Sequence, residues 1–174
     1  SRNVIRRIDG TYILLDFGLA VNDNEANRSS RISNGAVQYK APEKWKGEPV
    51  TTAVDIYGFG VMLYEFLAGQ LPFAFSGDVG NYKDVHAHME AHCKQTPSPI
   101  FPLRKQAFEA AHPGLTLNEP DYPEWIEELI MKCLAKNAAD RFADGKELSE
   151  YVKTQLNLSS AQYKDLINHL DVVE

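Results

Sequence analysis

Residues 35–60 read Gly-Ala-Val-Gln-Tyr-Lys-Ala-Pro-Glu-Lys-Trp-Lys-Gly-Glu-Pro-Val-Thr-Thr-Ala-Val-Asp-Ile-Tyr-Gly-Phe-Gly. Ala41-Pro42-Glu43 suits the start of a short helix, because a proline at the first helical position gives up an N–H that has no partner there. Thr51 or Thr52 can cap the next helix. That helix opens on Asp55-Ile56-Tyr57-Gly58-Phe59-Gly60 and stays apolar on almost every side until Gly69 and Pro72 stop it. A helix apolar all round is expected to be buried all round. Asp55 then needs hydrogen-bond donors, since an unpaired buried carboxylate is costly.

Toward the amino terminus, Val4-Ile5 and Tyr12-Ile13-Leu14-Leu15 are short β-favouring runs on either side of Asp9-Gly10, a dipeptide suited to a tight turn. A small hairpin is predicted there. Asp16-Phe17-Gly18 follows directly. A carboxylate at a strand end can bind a hard cation such as Mg²⁺, an amide oxygen can add a ligand, and Gly18 lets the chain turn. In isolation the tripeptide reads more readily as a turn whose Asp caps backbone amides. Residues 22–35 are polar, with Ser29, Ser30 and Ser33 beside Arg28 and Arg31, and are predicted to be a surface loop.

Toward the carboxyl terminus, Val79, Tyr82, Val85, Met89 and Cys93 lay an apolar stripe on a further helix. Its His86, His88 and His92 fit exposed histidines on an outer face. His88 and His92 also stand four apart, a spacing compatible with a metal, although no further ligand is apparent. Pro97, Pro99, Pro102 and Pro113 suggest a long irregular connection. Ile126, Leu129, Ile130, Cys133 and Leu134 recur at helical spacing after Pro123. Arg141 follows Asp140 and precedes a helix over roughly 143–156. Ser159 begins a last amphipathic stretch in which Tyr163, Leu166, Ile167 and Leu170 share a face.

The 174 residues amount to one domain or one lobe of a domain. With 18 basic against 24 acidic residues and no basic stripe, nothing drives binding to nucleic acid. No apolar run approaches a membrane span. Cys93 and Cys133 suit reduced thiols and hence a cytoplasmic setting. The first residue is Ser1, and the chain reads as a piece of something longer.

Taken together and in this order, Asn3, Asp16-Phe17-Gly18, Ala41-Pro42-Glu43, Asp55 to Gly60 and Arg141 resemble the carboxyl-terminal half of a eukaryotic-like serine/threonine protein kinase of bacterial texture. The resemblance implies a mainly α fold: a kinase C-terminal lobe built as a helical bundle with a small β-hairpin at its start. It covers residues 1–156 as a partial kinase domain and leaves 157–174 as an additional helix or linker. Asn3 resembles the asparagine that ends the family's catalytic loop, and Asp16 its metal-binding aspartate. Together they would hold Mg²⁺ against the phosphates of ATP and so take the catalytic and metal roles. Phe17 would be the packing residue that separates active from inactive arrangements. Phe17, Gly18, Ser29, Ser30, Ser33 and Ala36 fall in an activation segment, where phosphorylation of the serines would place charge beside Arg28 and Arg31. Glu43 and Arg141 would form a buried salt bridge, and Asp55 would accept hydrogen bonds from the catalytic loop; these three are structural roles.

The family's catalytic aspartate, glycine-rich loop and strand lysine match nothing in these residues. The expected partners are accordingly an N-terminal kinase lobe and a protein substrate, and the 174 residues by themselves are expected to be inactive and prone to self-association. Where serine/threonine kinases commonly carry Gly-Thr, this chain has Gly35-Ala36. The alternative reading is a non-catalytic kinase-like lobe that serves for docking or regulation.

Overall fold

The computed structural model describes residues 4–14 and 37–170. Strands β1 (Val4–Arg6) and β2 (Tyr12–Leu14) pair antiparallel with Val4 opposite Leu14. The turn between them is the one that Asp9-Gly10 predicts. Gly10 sits at φ 87°, and the Asp9 carboxylate accepts the Thr11 N–H at 2.9 Å.

Among the described residues six α-helices follow: α1 (Pro42–Lys46), α2 (Ala53–Ala68), α3 (Tyr82–Lys94), α4 (Ile100–Ala111), α5 (Glu124–Cys133) and α6 (Gly145–Leu170). Pro42 opens α1. The Thr51 hydroxyl accepts the Ala53 N–H at 3.3 Å, and Gly69 closes α2 in the left-handed region. Asp144 and Glu147 start α6 as a reciprocal cap: Asp144 accepts the Glu147 N–H at 2.9 Å, and Glu147 accepts the Ala143 N–H at 2.7 Å.

Helix α2 is the axis of the core. Its Ile56, Tyr57, Val61, Tyr64 and Ala68 pack with Ile100, Leu129, Ile130, Cys133, Leu134 and Phe142. Gly60 lets α2 and α5 approach closely, for a Cβ added there would lie 2.6 Å from the Cys133 Cβ. Sequence patterning does not reveal such an approach, because glycine leaves no apolar signal.

Three expectations are corrected. Helix α2 is not buried all round: its buried positions recur at three- and four-residue steps along one face, while Phe59 and Phe66, seven apart on another face, are exposed. The connection after Pro97 is not irregular throughout, since α4 occupies much of it. Pro99 caps that helix and Pro102 falls in its first turn, where a missing N–H costs no hydrogen bond, and the Glu127 carboxylate accepts the Ile100 N–H at 2.8 Å. Finally, the helix expected over 143–156 starts at Gly145 and runs on without a break through the stretch after Ser159, because nothing between them interrupts the α conformation.

Candidate functional site

The residues assigned to metal and nucleotide, Asn3 and Asp16, lie outside the described residues, as do Phe17, Gly18, Ser29, Ser30, Ser33 and Ala36. What is described is the hairpin between the first two and the platform on which the activation segment would end.

That platform is built around Arg141. Its two terminal nitrogens donate to the two carboxylate oxygens of Glu43 at 2.7 and 2.8 Å. The same nitrogens donate to the carbonyls of Ala53 at 3.0 Å and Lys136 at 3.3 Å, and Nε donates to Ala135 at 2.8 Å. All five guanidinium N–H groups are thus satisfied, which is what allows the group to sit wholly buried. The cation lies 4.8 Å from the centre of the Tyr57 ring. Glu43 is delivered by the first turn of α1, and Arg141 by the 3-10 turn Ala138–Asp140, so the pair fastens α1 to the start of α2. This is the salt bridge that the sequence resemblance implies.

A second tie was not anticipated from sequence. The Tyr39 hydroxyl donates to Glu65 Oε2 at 2.7 Å, joining the segment before α1 to the last turn of α2. Burial, reinforced by the Glu65 carboxylate, pushes the phenol up to about 12. The available signal was Glu65 itself, a lone carboxylate interrupting an apolar run. Beside Tyr39, the Lys40 ammonium stands 4.3 Å over the Trp45 ring.

The catalytic-loop partner expected for Asp55 lies outside the described residues. Asp55 itself is exposed in the first turn of α2, and none of its side-chain atoms bonds to a described residue. An exposed acid at a helix amino terminus is favourable on its own, through the helix dipole.

The histidines of α3 also differ from the outward-facing reading. His86 is exposed, whereas His88 and His92 are buried and bonded to each other, Nε2 to Nε2, at 3.0 Å. Among the described residues no three His, Cys, Asp or Glu side chains converge as metal ligands. Cys93 and Cys133 are both free thiols. No helix among the described residues is long and apolar enough to cross a membrane.

With the bidentate clamp and its helical base in place, comparison with known proteins is decisive. Residues 1–169 match the model of the protein kinase domain. The chain belongs to the protein kinase family. It is 26% identical over 171 residues to the probable serine/threonine-protein kinase PknB of Lactococcus lactis, covering 98% of this chain and 24% of that protein. Over 130 residues it is 33% identical to the serine/threonine-protein kinase PkaA of Streptomyces coelicolor, covering 74% of this chain and 19% of that protein. It also resembles the tyrosine-protein kinase MasK of Myxococcus xanthus, at 27% identity over 156 residues, covering 89% of this chain and 21% of that protein. The fold matches that of the Cydia pomonella granulovirus kinase PK-1 with a TM-score of 0.53 at 19% identity, covering 84% of this chain and 45% of that chain. The chain therefore spans about a quarter or less of these curated relatives, and its mainly helical body is that of a kinase C-terminal lobe.

Proposed function

We propose that residues 1–174 supply the C-terminal lobe of a kinase that transfers the γ-phosphoryl group of ATP to serine or threonine of protein substrates. The observation that carries this reading is the Glu43–Arg141 clamp, because it fixes the far end of the activation segment to α2 with a geometry that only a fully satisfied guanidinium tolerates. Several relatives named as serine/threonine kinases support the acceptor type. The 174 residues transfer no phosphate without an N-terminal lobe, and the setting is cytoplasmic.

Asn3 and Asp16 are the residues that would hold Mg²⁺. Their side chains offer the hard oxygen atoms this ion takes. The hairpin register supports the pairing, since Val4 follows Asn3, Leu14 precedes Asp16 by two residues, and these two are partners. Bound there, Mg²⁺ neutralises charge that develops on the phosphates. The chain's own part is positional: Glu43, Arg141, Tyr39 and Glu65 hold the surface that receives the substrate.

The test uses the full protein that contains this chain, with Mg²⁺, ATP and a serine- and threonine-rich protein acceptor. Asp16→Asn and Asn3→Ala are each expected to lower phosphate transfer at least a hundredfold without loss of fold. Undiminished transfer in both variants would refute the assignment. A wild-type protein that folds, binds its protein partners and transfers no phosphate would establish the docking role instead.

A further inference from the structure

Below the clamp runs a chain of four polar groups with no part in phosphate chemistry. The Tyr57 hydroxyl lies 2.8 Å from His92 Nδ1, His92 Nε2 lies 3.0 Å from His88 Nε2, and His88 Nδ1 lies 3.1 Å from the Ala74 carbonyl. Tyr57, His92 and His88 are all essentially inaccessible to solvent.

The far end fixes the direction of every bond. A carbonyl only accepts, so His88 carries its proton on Nδ1 and, when neutral, presents a lone pair at Nε2. His92 must then donate from Nε2, which leaves its Nδ1 to accept from Tyr57. Each donor meets one acceptor only while both imidazoles are neutral.

A proton on His88 sets two N–H groups face to face. The clash is relieved by moving the His92 proton to Nδ1, where the Tyr57 oxygen can accept it, but the Tyr57 hydroxyl hydrogen must then turn away from His92 and has no other side-chain acceptor among the described residues. Buried unpaired donors are expensive, so one added proton disrupts the whole chain.

We propose that Tyr57, His92 and His88 form an acid-released latch that holds α3 and the loop before it on α2. The surroundings favour the neutral state. Lys136 faces the pair from the loop after α5, with its ammonium 4.3 Å over the Phe73 ring, and that ring packs edge-on against His92. Arg141, carrying Glu43 of α1, lies against Tyr57. On α3 itself, Asp84 is engaged by Ser76 and draws a proton toward His88 less strongly than burial opposes it, and Cys93 points to the Pro42 carbonyl. The loop Pro72-Phe73-Ala74-Phe75 offers no ionisable side chain.

Burial lowers both imidazoles, His92 to about 3. The sign follows. Released imidazoles take up protons below about 6.5 while latched ones stay neutral, so acid favours release by up to about tenfold per pH unit per histidine.

The experiment is hydrogen exchange and imidazole ¹⁵N NMR on the full chain. At neutral pH the latch requires protons on His88 Nδ1 and His92 Nε2. Between pH 7 and 5, exchange over 82–94, corrected for intrinsic chemistry, is expected to rise at least tenfold more than exchange over 124–133. Tyr57→Phe supplies the discriminating variant. It removes the O–H that holds His92 neutral by donating to Nδ1 and that is left unpaired when the chain reverses, so the histidine titration midpoint moves up by about half a unit or more. Simple burial predicts no change or a downward shift, because phenylalanine is the more apolar neighbour. The opposite tautomers, a midpoint that stays or falls in Tyr57→Phe, or equal exchange in α3 and α5 would each overturn the latch.

Discussion

Glu43 and Arg141 stand 98 positions apart in the chain and meet as a two-pronged ion pair in which each prong is under 3 Å. The pair belongs to more than α1 and the 3-10 turn that carry it. Through the Ala53, Ala135 and Lys136 carbonyls, one guanidinium also gathers the start of α2 and the loop that follows α5. Three separate pieces of chain are therefore registered against each other by a single side chain.

Breaking that pair leaves a charge stranded in the interior. Glu43→Gln and Arg141→Met are each expected to lower the unfolding free energy by about 3–5 kcal/mol, measured by urea denaturation. The double variant is expected to lose much less than the sum, because neither charge is then left alone. Strict additivity would mean that the two groups do not depend on each other, whatever their distance.

The two glycines of α2 are expected to behave oppositely. At Gly60 a methyl group would collide with the Cys133 Cβ at 2.6 Å and approach the Leu134 side chain at 3.3 Å, so Gly60→Ala must spread α2 from α5 and destabilise by about 1–3 kcal/mol. At Gly58 the nearest atom is the Tyr39 carbonyl oxygen at 3.6 Å, an ordinary contact. Gly58→Ala therefore gains helix propensity, up to about 1 kcal/mol, and raises the melting temperature. Equal effects in thermal unfolding would deny the close approach of the helices.

Tyr39→Phe removes a hydroxyl whose partner, Glu65, stays behind on α2. A loss of about 1–2 kcal/mol is expected, more than a neutral hydrogen bond is worth, since the acceptor is a carboxylate. Tyr39→Phe combined with Glu65→Leu leaves no unpaired group and is expected to recover part of that loss. A double variant no more stable than the single would show that the tie contributes nothing beyond packing.

How much of this was legible depends on the range of the signal. Pro42, Asp9-Gly10 and Gly69 act on their own neighbours, and each predicted boundary is found. Glu43 and Arg141 were paired by family resemblance, since nothing local couples them. Local reading failed where distant residues decide. His88 and His92 looked like outer-face residues until Tyr57 and Phe73 closed over them, and Phe66 looked like core although it is 80% exposed. Proline punctuation also misled, because Pro99 and Pro102 start a helix instead of preventing one.

Lys136 gives a prediction whose size depends on pH. Its ammonium is partly buried over Phe73, makes only a long 3.5 Å bond to the Ala91 carbonyl, and pairs with no carboxylate among the described residues. Burial, with Arg141 adding to it, brings the amine down from 10.5 to about 8. Between those two values the unfolded chain binds more protons than the folded one, so stability rises with pH across that window, and below 8 the fold carries the full penalty. Lys136→Met is therefore expected to stabilise the protein at pH 7 by about 1–2 kcal/mol, after discount for partial exposure and for attraction to the ring. At pH 9.5 the advantage shrinks, because the wild-type amine is by then largely neutral. Urea denaturation at the two pH values reads both numbers. A variant less stable than wild type at pH 7 would mean that the cation's attraction to Phe73 outweighs its desolvation.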